Sequence, residues 1–155
     1  MATDVISFTK TIRVTPTITT SAYASGDSIG GAITLPNAAR QGRSGGVILS
    51  LSVVDKDAEE VGVTVQFYKN APTATDNAAF DPTDAQLADD YIGEVALTSY
   101  TSLSDNSVAS ERNIGLAFES ESEDAQDIYA VIISNGTPTY TAASDIVLIV
   151  NILQD

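Results

Sequence analysis

Apolar residues recur at every second position through most of this chain, while the helical period of 3.6 is nearly absent. Val61, Val63, Val65 and Phe67 alternate with Gly62, Thr64, Gln66 and Tyr68, which predicts a half-buried strand with the second set facing outward. Val47, Leu49, Leu51 and Val53 repeat the pattern after the breaker GRSGG at Gly42 to Gly46, and Ile114, Leu116 and Phe118 repeat it later. Early in the chain Ile12, Val14 and Ile18 do the same, with threonines and Arg13 facing the other way. Ile33 and Leu35 mark a shorter strand ended by Pro36, which cannot donate a ladder hydrogen bond.

Two runs break the alternation. IYAVII at Ile128 to Ile133 and IVLIVNIL at Ile146 to Leu153 are apolar on both faces, the mark of central or interface strands. One sandwich core covers one face of Ile146 to Leu153; either a second subunit or loops must cover the other. The connection SNGTPTYTAASD between the runs carries Asn135, Gly136 and Pro138, which are turn signals. Strands roughly every 12 to 20 residues, separated by Ser, Thr and Gly, predict an all-β antiparallel β-sandwich or barrel-like domain.

One short helix is expected, inside the long polar segment between Phe67 and Val95. Asp81 is placed to cap it, Pro82 to occupy its first turn, and Asp84 to meet the positive end of its dipole. The preceding NAPTATDNAAF holds Pro72, Asp76 and Asn77, residues that bend chains. Its apolar members Ala71, Ala74, Ala78, Ala79 and Phe80 favour packing, either closing one end of the sandwich or meeting a neighbour.

The 155 residues make one domain, 1–155, large enough to bury roughly 70% of its unfolded surface without disulfides or metals. Its longest purely apolar run, Ile146 to Val150, falls far short of the roughly 20 residues of a spanning helix. MATDVISFTK lacks the form of a signal peptide, so synthesis in a cytoplasm and a soluble product are expected. Residues 1–10 are a candidate N-terminal arm, with Val5, Ile6 and Phe8 either adding to a partner's sheet edge or pairing within their own sheet.

Charge and chemistry narrow the function. Seven Lys and Arg against 21 Asp and Glu give a net charge of −14, which repels phosphate backbones and anionic lipid, so no nucleic acid and no membrane partner is expected. With no His and no Cys, imidazole acid–base catalysis, thiol nucleophiles and Cys/His zinc sites are excluded. The acidic pairs Glu59, Glu60 and Asp89, Asp90 read as solvated turns. DKDAEE at Asp55 to Glu60 begins like a calcium loop but lacks the turn glycine and late glutamate, and reads as a hairpin turn; ESESED at Glu119 to Asp124 reads as an exposed loop. SGDSIGG at Ser25 to Gly31 lacks the Lys and helix of a phosphate loop and reads as a turn into the strand of Ile33. The expectation is a protein that is not an enzyme, with no metal and no cofactor.

TTSAYASGDSIGGAITLPNAAR, VQFYKNAPTATDNAAFDPTDAQLADDYIGEV, DNSVASERNIGLAF and GTPTYTAASDIVLIVNILQD, in this order, resemble a family of small structural proteins of tailed bacteriophages, similar to capsid decoration or cement proteins. The resemblance implies a protein of the virion that binds the outer surface of the major capsid protein shell as a small homo-oligomer, a trimer before a dimer, and stabilises that shell. A tail or head-fibre component is the alternative, and a carbohydrate-binding β-sandwich a second one, poorly served by a chain with no Trp. The candidate partner-binding residues are Val5, Ile6, Phe8 and Ile149. Replacing Ile149 by Asp is expected to split an oligomer if its face is the seam, and to unfold the chain if the residue is core.

Overall fold

A computed structural model describes residues 8–42 and 45–155. Among the described residues nine strands form: β1 (Phe8–Val14), β2 (Ser28–Leu35), β3 (Gly45–Asp55), β4 (Val63–Tyr68), β5 (Tyr91–Leu97), β6 (Tyr100–Ser102), β7 (Ser107–Glu119), β8 (Ile128–Ser134) and β9 (Ile146–Gln154). They make two antiparallel sheets, ordered β1-β9-β3-β7-β6 and β2-β8-β4-β5. The sandwich expected from the alternation is present, and the sheets do not close into a barrel.

The pairing has a simple logic. β1 pairs with β9, β2 with β8, β3 with β7 and β4 with β5, so the chain is a long antiparallel ribbon folded at its middle. Successive rungs of that ribbon alternate between the sheets, and rolling it up adds the β3–β9 and β4–β8 pairings. With β6 as an extra edge strand, this is a jelly roll. Both two-faced apolar runs lie where their composition requires: β8 between β2 and β4, β9 between β1 and β3.

The core fills the space between the sheets. Ile146, Leu148, Val150 and Ile152 of β9 meet Val63, Val65 and Phe67 of β4 and Ala130 and Ile132 of β8 within one buried cluster. Leu116 packs directly on Gly93 of the other sheet, where an added Cβ would lie 2.6 Å from its Cδ1. Ile114, Leu116 and Phe118 share the inward face as expected.

Several local expectations are corrected. Val47 and Leu49 do not continue the face of Leu51 and Val53, because β3 bulges between Ile48 and Ser50 and the phase slips by one residue. Ile18 is buried, but β1 stops at Val14, two residues before Pro16. β2 starts at Ser28, earlier than the Gly-rich turn suggested, and bulges between Ile29 and Ile33. Gly30 makes that bulge possible: its φ is +84°, and a Cβ there would lie 2.5 Å from Pro16. Phe8, Thr9 and Lys10 belong to β1, paired with Gln154, Leu153 and Ile152, so this part of the candidate arm is sheet. Val5 and Ile6 lie outside the described residues.

DKDAEE is not a hairpin turn. It carries the chain from β3 in one sheet to β4 in the other, and its acids hold backbone N–H groups. Asp55 accepts from the N–H groups of Asp57 and Glu60 at 3.0 and 2.9 Å. Asp57 and Glu59 accept from the N–H groups of Thr141 and Thr139 in the β8–β9 connection. Alternation alone does not separate a hairpin from a crossover, because both need only a turn.

Candidate functional site: the uncovered face of the five-stranded sheet

The two sheets turn different faces to the outside. On β8, Val131 points away from the core, yet it is fully buried. Tyr68, expected to face outward, is fully buried too. At Tyr68 the cover comes from segment 69–90 between β4 and β5. It returns over this sheet, bridging Asp27 to Ala79 and Ser28 to Asp76 along β2. The ring of Phe80 meets Tyr68 edge-on at 6.1 Å, and Tyr91 does so at 5.7 Å. The backbone oxygen of Ala74 lies 3.1 Å from the position a Cβ on Gly31 would take.

Asp76 fastens this segment. Its carboxylate accepts from the Tyr23 hydroxyl at 2.6 Å, the Gly30 N–H at 2.7 Å and the Thr19 N–H at 2.8 Å. Burial, then the hydrogen bond to Asp76, pushes the Tyr23 phenol far above its ordinary value. Burial also pushes the Tyr68 phenol up to about 12. The expected helix is a turn of π-helix, Gln86–Asp90, preceded by two helical residues. Its cap is Thr83 and not Asp81: Thr83 Oγ1 accepts from the Gln86 N–H, while Gln86 Oε1 accepts from the Thr83 N–H. Of the acidic pair that ends it, Asp89 is exposed but Asp90 accepts from Asn70 Nδ2 at 2.9 Å.

Nothing among the described residues covers the five-stranded sheet in this way. Its register sets the outward side chains in four rows across β1, β9, β3 and β7. The first row is Thr9, Leu153, Val47, Ala117; the second is Thr11, Asn151, Ser50, Arg112. The third is Arg13, Ile149, Ser52, Ser110. The fourth, beyond the end of β1, is Val147, Val54 and Val108, with Thr101 of β6. Val147, Ile149 and Leu153 of β9 and Val47 and Val54 of β3 are half-buried, held open only by the absence of a layer above them.

The polar groups in the middle rows bond to one another. Thr11 Oγ1 donates to Asn151 Oδ1 at 2.6 Å, Asn151 Nδ2 donates to Ser50 Oγ at 2.7 Å, and the hydroxyls of Ser52 and Ser110 lie 2.8 Å apart. Polar groups already paired lose less when water is removed, so such a face can be covered at low cost. At the first row the face deepens into a groove of about 510 Å³, lined by Gly45, Gly46, Val47, Ala117 and Leu153. Gly46 is needed there because the Phe118 ring lies 2.8 Å from where its Cβ would be.

No protein-family model and no curated protein matches this chain. The site is therefore read from its own geometry.

Ile149 stands in the middle of the uncovered face. Phe8 does not share it: opposite Gln154, it belongs to the core-facing set at the rim, 42% exposed, with the Arg40 guanidinium 4.3 Å above its ring. The two candidate residues that the structure describes are thus on opposite sides of one sheet. Arg112, Ser50 and Ser110 were missed because the bulge at Ile48 and Ser50 hides their phase. Asn151, a lone amide in the apolar run IVLIVNIL, was a readable signal.

Elsewhere, Lys69 pairs with Glu121 at 3.3 Å in a polar cleft that includes Asn70 and Asp127. Among the described residues no three His, Cys, Asp or Glu side chains gather as metal ligands, and no helix is long and apolar enough to cross a membrane.

Proposed function

We propose that the protein is a structural component of a virus particle, a capsid decoration protein of a tailed bacteriophage that binds the outer shell and stabilises it by adhesion, without catalysis or cofactor. The observation that carries this reading is the uncovered sheet face: broad, apolar at both ends, and with its central polar groups already bonded to one another. Such a face suits contact with a broad protein surface better than capture of a small molecule, which favours an enclosing pocket. The jelly roll is compatible with the reading because viral capsid domains use it, although lectins and cupins use it as well. The sequence resemblance to phage structural proteins favours the viral use.

Adhesion gives a mechanism. A protein that binds only the mature arrangement of a shell stabilises that arrangement by mass action, and a few kcal/mol per copy suffices when many copies act together. The carbohydrate-binding alternative has less support: the exposed large aromatics among the described residues, Phe8 and Tyr91, are not on this face. The tail or head-fibre alternative differs only in location. The test adds purified protein to expanded shells that lack it. Saturable binding and a higher temperature of DNA release are expected, with little binding to unexpanded precursors. Unchanged heat resistance, or labelling confined to tails, would overturn the capsid reading.

A further inference from the structure

The charge on the uncovered face runs against the rest of the molecule. The chain holds 21 Asp and Glu among 155 residues, about one in seven, so the four rows would be expected to carry at least two. They carry none, and they carry Arg13 and Arg112. Both arginines are exposed, and neither has a hydrogen bond or ion pair with any described residue. Two carboxylates, Glu119 and Asp155, lie beyond the first row at the rim of the groove. Strand spacing puts the two arginines about 16 Å apart at the backbone, at opposite edges of the face.

We propose that this face docks on a protein surface offering apolar side chains together with carboxylates that meet Arg13 and Arg112, presented many times over on a lattice. The proposal rests on the decoration reading and adds the partner's chemistry to it. Two arguments select this occupant over a second copy of the chain. A flush pairing of two such faces would bring four guanidinium groups into one desolvated layer with no carboxylate among the rows, and an unpaired buried charge costs several kcal/mol. Sliding the faces until Glu119 or Asp155 reached an arginine would give up part of the apolar contact.

Size makes the second argument. Four strands about 4.8 Å apart and four rows about 6.8 Å apart give a planar face of roughly 500 Å². A stable one-to-one complex uses about 800 Å² per partner. Contact through this face alone is therefore weak for one copy and effective only when repeated across an array. Arginine suits such a contact because its planar fork matches a carboxylate bidentately.

The test uses the full chain and expanded phage shells lacking it, with co-sedimentation as the readout. The Arg13→Glu, Arg112→Glu double variant should bind at least tenfold more weakly than the native chain, while Ala96→Glu, which adds one carboxylate at an exposed position of the other sheet, should bind normally. Both arginines are exposed, so an unchanged circular dichroism spectrum and melting temperature are expected for the double variant. If the native chain binds and the double variant binds equally well, the face assignment is wrong while the decoration reading stands. If the native chain does not bind, the decoration reading falls, and this inference with it. If sedimentation of the free chain shows an oligomer that the double variant dissolves, the occupant is a second copy and the proposal is overturned.

Discussion

β8 and β9 began as the same signal, an apolar run on both faces, and the structure resolves them in opposite ways. On the outward side of β8 Val131 is fully buried and Tyr129 and Ile133 are half-buried, and segment 69–90 packs on the same sheet at Ser28 and Tyr68, whereas no outward residue of β9 is fully buried across four rows. The difference lies in the connections. The β4–β5 connection is long and folds back over its own sheet, tied by Asp76 to Tyr23, Gly30 and Thr19. No described segment does this for the other sheet. A two-faced strand therefore states only that something covers it; the covering agent is written elsewhere in the chain.

The largest effect should come from opening the covered side. Tyr68 is fully buried between Phe80 and Tyr91, so Tyr68→Ala removes a ring from a packed site and should cost about 4 kcal/mol in urea unfolding. A loss below about 1 kcal/mol would mean that segment 69–90 does not cover this sheet in solution.

A smaller and sharper comparison uses one substitution on both sides. Val131→Ala, at a fully buried outward position of β8, should cost about 2 kcal/mol, while Val147→Ala, at a half-buried outward position of β9, should cost less than about 1 kcal/mol. Equal losses would show that the outer face of the five-stranded sheet is covered too.

The smallest effect concerns the end that joins the sheets and serves as a reference for both faces. Burial raises the Asp55 carboxyl above its ordinary value of 3.8, against the pull of the Glu60 and Asp57 N–H groups. A raised folded-state value favours the protonated form in the fold. This contribution to stability is full below the ordinary carboxylate range and is lost as pH rises through the folded-state value. The melting-temperature advantage of the native chain over Asp55→Asn should thus widen as pH is lowered through that window. A constant difference would contradict the burial of Asp55.

Much of this was legible in the sequence, for definite reasons. Alternation at Val63, Val65 and Phe67 fixed a strand and its inward face, because a period of two admits no other reading. The doubly apolar β8 and β9 identified one interior strand in each sheet. Bulges were not legible: one residue between Ile48 and Ser50 reverses which side chains face out, and nothing in GGVILSLSVVD marks it. The docking face was half legible. Ile149 belongs to it, but Arg13 and Arg112, far apart in the chain, join it only through the β1–β9–β3–β7 ladder. Phe8 was grouped with Ile149 by hydrophobicity, although strand parity sets it on the other side.

The central claim, that the uncovered sheet face is the contact surface, is tested most directly by modifying arginines with phenylglyoxal on intact particles and on the free chain. Arg13 and Arg112 should be modified readily in the free protein and protected on the particle, while Arg40, seated over Phe8 at the sheet rim, should react alike in both. Equal modification of Arg13 and Arg112 in the two states would contradict the account.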